Sequence, residues 1–172
     1  MTINITNKKI FSLIGETADY LDIDCYVVGG YVRNYFLKKD TKDIDIVCNK
    51  KGIELAKLIA KKLNCKIVIY KNFGTALVKN DKYDIEFISA RTESYNKNSR
   101  KPHVKLGTME DDQKRRDFTI NAMFIGLNKK NKYKLVDPFN GLSDLKNGII
   151  KTPLKPDKTY SDDPLRMIRA IR

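Results

Sequence analysis

The chain has 172 residues, enough for one compact domain with its own core and too few to promise two. Its 34 Lys and Arg outnumber 21 Asp and Glu, and the net charge of +13 favours polyanionic partners, nucleic acid first. No apolar run reaches the roughly 20 residues of a membrane span, residues 1–9 lack a signal-peptide core, and Cys25, Cys48 and Cys65 form no CxxC pair, so a cytoplasmic protein with reduced thiols is expected, without a zinc site or disulfide framework.

Ile10, Leu13, Ile14, Thr17 and Leu21 recur at helical spacing, and Cys25-Tyr26-Val27-Val28 then reads as a short buried strand ending in Gly29-Gly30. A helix from about Val32 precedes a β-rich segment from Asp43 to Val47, and a second helix runs through Leu55, Leu58, Ile59 and Leu63. Two or three strands are predicted next, at Lys66 to Tyr70, Thr75 to Lys79 and Tyr83 to Ser89. Strands alternating with helices make this an α/β or α+β chain. Arg91 to Arg115 is polar, with few hydrophobic residues, and reads as a long functional loop. Ser161 or Asp162 can cap a last helix with Pro164 in its first turn, and its apolar stripe of Leu165, Ile168 and Ile171 runs to the end of the sequence, as in a fragment.

Within this frame, Asp43-Ile44-Asp45 on a strand directs two carboxylates to one face, about 7 Å apart, while Ile44 and Ile46 turn into the core. Paired carboxylates suit hard divalent cations such as Mg²⁺, two of which can activate a hydroxyl and neutralise a leaving pyrophosphate. Upstream, the paired glycines Gly29-Gly30 let backbone amides approach phosphates, and Arg33 can fork onto a triphosphate. Downstream, Asp84 and Glu86 share one face of a later strand, and either could supply a third carboxylate. Asp163 and Arg166, three apart on the expected last helix, would present an acceptor and donors to one base edge, matching the amine and ring nitrogen of cytosine and adenine. His103, the single histidine, reads as solvated, and Phe73, Phe87 and Phe118 as core. Tyr31 and Tyr95 read either as RNA contacts or as buried rings.

Gly29-Gly30-Tyr31-Val32-Arg33, followed ten residues after Arg33 by Asp43-Ile44-Asp45, resembles the signature of the class II tRNA nucleotidyltransferase and bacterial poly(A) polymerase family, within the polymerase-β-like superfamily. Arg115-Arg116-Asp117-Phe118-Thr119-Ile120-Asn121-Ala122 is similar to its ribose-contacting motif. Asp137-Pro138-Phe139 with Gly141 and Asp144-Leu145 is similar to the segment joining head to neck, and Asp162-Asp163-Pro164-Leu165-Arg166 to the base-selecting motif, with Asp162 where the family usually has Glu. The order of these motifs is that of the family.

The resemblance implies a small mixed five-stranded sheet flanked by helices, with a head at residues 1–158 and the start of a helical neck at 159–172. It implies that Asp43, Asp45 and Glu86 are catalytic and bind Mg²⁺, Glu86 matching the third carboxylate better than Asp84. It also implies that Gly29, Gly30, Arg33, Arg116, Asp117, Asp163 and Arg166 bind the nucleotide while Asn121 braces them. The activity implied is CCA addition from CTP and ATP to a tRNA 3′ end. Poly(A), CC-only and A-only enzymes share these motifs, and an idle RNA-binding head fragment is the rival from another class. Two departures stand out: Asn34 replaces the usual aspartate after Arg33, and no neck, body or tail follows Arg172.

Overall fold

Period-two alternation of apolar residues builds the sheet, and helical stripes cover one of its faces. The computed structural model describes residues 1–5, 7–71, 74–96 and 99–171; Phe73, expected in the core, lies outside them. The elements run α1 (Lys8–Tyr20), β1 (Cys25–Val28), α2 (Gly30–Phe36), β2 (Asp43–Cys48), α3 (Gly52–Leu63), β3 (Lys66–Tyr70), β4 (Thr75–Lys79), β5 (Asp84–Ser89), β6 (Arg91–Asn96) and β7 (Ser99–Leu106). After these come α4 (Met109–Lys114), a 3₁₀ turn (Thr119–Asn121), β8 (Phe124–Gly126), β9 (Leu135–Val136), α5 (Gly141–Lys146), α6 (Pro156–Asp162) and α7 (Leu165–Ile171).

The main sheet has the order β3-β4-β5-β2-β1-β8-β9. It is mixed, because β2 and β5 pair in parallel while their neighbours pair antiparallel. The expected five strands are all present, and β8 and β9, of three and two residues, extend them to seven. Those two are too short to leave a periodic trace in the sequence.

Ile44, Ile46, Ile85, Phe87, Ala76 and Val78 turn to one face, where they join Phe11 and Ile14 of α1 and Leu55 and Ile59 of α3 in the main core. The other face holds the carboxylates and a smaller cluster of Val28, Val47, Ala90 and Phe124, with Ile88 and Met109 against it. Tyr31 is buried edge-on against Phe11, with ring centres 5.3 Å apart, and Phe87 and Phe118 are buried as expected.

Two expectations are corrected. The segment from Arg91 to Arg115 is a two-stranded hairpin, β6 with β7, followed by α4. Its ladder is closed by backbone pairing from Arg91↔Leu106 to Asn96↔Ser99, so it needs no apolar face and gave no hydrophobic period. Thr108 and Asp111 cap α4 reciprocally in a capping box. His103 lies exposed on this hairpin, its Nε2 3.1 Å from the Asn96 amide.

The last helix starts later than expected, at Leu165, and a separate helix precedes it. α6 ends at Asp162, and Asp163 adopts an extended conformation, φ −145° and ψ 97°. Pro164 is the cause, since the residue before a proline is pushed out of the helical region. The Asp163 carboxylate then accepts from the Leu165 amide at 3.2 Å, at the start of α7.

Candidate active site

β2 and β5 lie in parallel register, Asp43 opposite Asp84 and Asp45 opposite Glu86, so all four carboxylates project from one face. Asp84 is held at that edge by Lys79 at 3.6 Å. Glu86 instead sits beside Asp45, as the register requires. Burial raises the pKa of Asp45, with Asp43 and Asp112 adding repulsion and Arg116 opposing it. Burial raises Glu86 as well, and Asp45 adds to the effect while Arg91 opposes it. A partly desolvated pair of hard oxygen donors of one sign is the chemistry that attracts a divalent cation. Among the described residues, no three His, Cys, Asp or Glu side chains are gathered into one metal-binding group.

β1 delivers the chain to Gly29, at φ 68° and ψ −135°, a conformation open essentially to glycine alone. A Cβ there would also meet the Arg116 guanidinium at 3.1 Å and Asp45 Oδ2 at 3.4 Å. The turn therefore brings bare backbone between a carboxylate and an arginine. Arg33, one turn into α2, donates to Asn34 Oδ1 at 3.0 and 3.2 Å and to Asn121 Oδ1 at 2.9 Å. Asn34 thus fixes the arginine by hydrogen bonds where an aspartate would have done so by charge.

Asn121 also donates to Asp117 Oδ1 at 3.0 Å, which joins the glycine turn to the 3₁₀ turn. Asp144 and Gly141 secure that turn from behind. The Thr119 hydroxyl donates to Asp144 Oδ2 at 2.6 Å, and a Cβ on Gly141 would meet the Thr119 carbonyl at 2.2 Å. Asp137 accepts from the Gly141 and Leu142 amides at 2.7 and 2.9 Å.

The side chains enclose a cleft of about 620 Å³ lined by Gly29, Gly30, Arg33, Asp45, Arg116, Asp117 and Asn121. A groove of about 390 Å³ adjoins it and carries Asp43, Asp45, Asp84 and Glu86. A third, of about 370 Å³, holds Asp45, Arg116 and Asp117 together with Asp163 and Arg166. Asp45 is common to all three, so every candidate residue borders one connected site.

Asp163 and Arg166 do not stand as neighbours on one helix. Asp163 occupies the cap of α7, while Arg166 is buried and faces Tyr95 Oη at 3.4 Å and Glu93 Oε2 at 3.8 Å. Both line the same cleft.

Two acids that sequence reasoning passed over organise this side. Glu93, almost fully buried, takes ion pairs from Arg91 at 2.8 Å and Arg115 at 2.9 Å and lies against Arg166. Asp112, fully buried on α4, holds Arg115 and Arg116, the latter at 2.9 Å. Tyr95 donates to Glu93 at 2.8 Å, and burial, ahead of that bond, pushes the phenol to about 12. No motif or hydrophobic period in the sequence marks either acid as buried.

A mixed sheet with carboxylates on its central strands beside a glycine turn defines a head domain of the nucleotidyltransferase fold, as in an apo CCA-adding enzyme structure that superposes with a TM-score of 0.88. That match has 37% identity and covers 99% of this chain and 40% of that one. Residues 25–151 match the poly A polymerase head domain family, and the chain belongs to it. It is 41% identical over 147 residues to an A-adding tRNA nucleotidyltransferase of Aquifex aeolicus (strain VF5), covering 86% of this chain. A tRNA nucleotidyltransferase solved with a primer tRNA and an incoming ATP analog superposes with a TM-score of 0.79 at 35% identity, covering 92% of this chain and 43% of that one. The chain spans 18% of the length of the Aquifex relative.

Proposed function

We propose that the chain is the nucleotide-adding head of an RNA nucleotidyltransferase that extends a tRNA 3′ end from CTP and ATP, residues 1–158 forming the head and 159–172 the start of a neck. The observation that carries this reading is the convergence on Asp45 of a carboxylate face, a glycine turn with two arginines, and the Asp163–Arg166 side. The names of the relatives, A-adding and CCA-adding, support the same chemistry.

In the reaction, the RNA 3′ hydroxyl attacks the α-phosphorus of the nucleoside triphosphate, the bond to the β-phosphate breaks and pyrophosphate leaves. Arg33 and Arg116 offset the triphosphate charge from one side, with the bare backbone of Gly29-Gly30 between them. Arg116 and Asp117 supply donor and acceptor groups for the ribose hydroxyls, and Asn121 braces the motif through Arg33 and Asp117. Asp43, Asp45 and Glu86 would hold Mg²⁺, which supplies Lewis-acid stabilisation of the phosphoryl oxygens and lowers the pKa of the attacking hydroxyl. Asp163 and Arg166 would read the amine and ring nitrogen shared by cytosine and adenine.

An A-only enzyme is a second reading, favoured by the A-adding Aquifex relative. No helix among the described residues is long and apolar enough to cross a membrane. The test is addition to a tRNA lacking its terminal CCA and to one ending in CC, with each nucleotide separately: C on the first and A on the second support the first reading, A on the second alone supports the second, and no addition to either contradicts both.

A further inference from the structure

The register of the sheet places more on the carboxylate face than the carboxylates. Three rows run across β3, β4, β5 and β2: Lys66, Lys79, Asp84, Asp43; Val68, Leu77, Glu86, Asp45; and Tyr70, Thr75, Ile88, Val47. Paired residues project to the same side, so Val68 and Tyr70 share the face that bears Glu86 and Asp45. Both are 47% exposed, and Lys66 is exposed beside them. Leu77 joins this patch to the carboxylates, since it lines the same groove as Glu86 and Asp43. Each strand step is about 4.8 Å, which puts Val68 roughly 10 Å from Glu86, within reach of a strand of one or two nucleotides.

The opposite side of Asp45 is taken by the glycine turn, Arg33 and Arg116, where a triphosphate and its leaving pyrophosphate fit. Attacking and leaving oxygens lie roughly in line in phosphoryl transfer, so the nucleophile must approach from the far side, over β5 and β4. The surface met there has an aromatic ring, two aliphatic side chains and flanking lysines, the composition that stacks single-stranded bases and steers their phosphates. Tyr31 and Tyr95, the aromatic residues first considered for RNA, are committed elsewhere, Tyr31 buried and Tyr95 bonded to Glu93.

We propose that this open face is the seat of the RNA primer's 3′-terminal nucleotides, Tyr70 and Val68 lying under the bases and Lys66 and Lys79 reaching the phosphates. The assignment rests on the nucleotidyl-transfer reading above. The test is binding of a labelled single-stranded oligoribonucleotide with a free 3′ hydroxyl to the chain, measured by fluorescence anisotropy beside ATP binding. Tyr70→Ala and Val68→Ser should each weaken RNA binding by about tenfold, Tyr70→Phe should retain it, and ATP affinity should not move. Lys66→Glu should weaken RNA binding and flatten its salt dependence. All three positions are exposed on an edge strand, and unchanged thermal midpoints will establish that the variants are folded. RNA affinity within twofold of the parent in both Tyr70→Ala and Val68→Ser, with ATP binding intact, would overturn the assignment and leave the function standing. Loss of self-association in those variants without loss of RNA affinity would give the patch to a second copy of the chain and overturn it too. A parent chain that binds neither ATP nor RNA would overturn both the assignment and the reading beneath it.

Discussion

The two sides of Asp45 are built by different means. Asp43, Asp45 and Glu86 stand on adjacent strands, and their direction follows from backbone register alone. Arg115, Arg116 and Arg166 are aimed by Glu93 and Asp112 through ion pairs, those of Glu93 reaching Arg115 and Arg166 from another element and those of Asp112 lying within one turn of it. The first arrangement tolerates loss of a side chain without loss of shape, because the strands pair regardless. The second depends on each charge, since removal of one buried acid takes an ion-pair partner from at least two guanidinium groups at once.

That contrast can be broken by mutation. Asp45→Asn is expected to lower the rate of nucleotide addition by about a thousandfold, about 4 kcal/mol, with the fold unchanged by circular dichroism. Activity within tenfold of the parent at saturating Mg²⁺ would remove the carboxylate from catalysis. Asp112→Ala should act the other way round. It is expected to cost about 3 kcal/mol of stability in urea unfolding, because it leaves Arg116 without an acid partner at a nearly buried site and Arg115 with Glu93 alone. A loss under about 0.5 kcal/mol would mean that the cluster merely decorates the fold.

The same contrast explains what could be read from the sequence. Cys25–Val28, Lys66–Tyr70 and Thr75–Lys79 appear where their alternation and bounding turns put them, and Asp43-Ile44-Asp45 lies as a strand must place it. The glycine turn was legible because so few residues reach φ 68° with ψ −135°. The hairpin of β6 and β7 was not, because its pairing is satisfied by backbone groups and its apolar side chains Val104 and Leu106 are exposed. Glu93 and Asp112 were illegible for a further reason: a buried acid looks like a surface acid until the fold encloses it, Glu93 against Arg166 from 73 residues away and Asp112 with Arg115 and Arg116 one turn on. The break at Asp163 was visible in principle through Pro164, and reading one helix across it misplaced the carboxylate.

Base choice sharpens the difference. Asp163→Ala and Arg166→Ala each remove hydrogen bonds to a charged group, worth roughly 1.5 to 3 kcal/mol, so preference for CTP and ATP over UTP and GTP should fall by one to two orders of magnitude. Glu93→Gln should reproduce part of the Arg166→Ala effect, because it loosens the arginine without removing it. Equal losses for all four nucleotides would make this side structural.

The smallest expected effect is on pH dependence. Asp45 holds its proton more tightly folded than unfolded, so the metal-free chain loses stability as pH rises through the range just above the ordinary carboxylate values. Asp45→Asn removes that dependence. Its thermal midpoint should exceed the parent's at about pH 7, and the gap should close towards about pH 4, where the parent carboxyl carries its proton. A gap that widens in acid would reverse the sign assigned to the site.

The most direct test of the central claim is product length on a gel, after the chain joined to a related body and tail is incubated with a tRNA lacking its 3′ CCA and with CTP, ATP, UTP or GTP in turn. Extension with CTP, completion when ATP follows, and none of either with Asp45→Asn is the predicted result. No extension with any nucleotide, or extension that survives in Asp45→Asn, would contradict it.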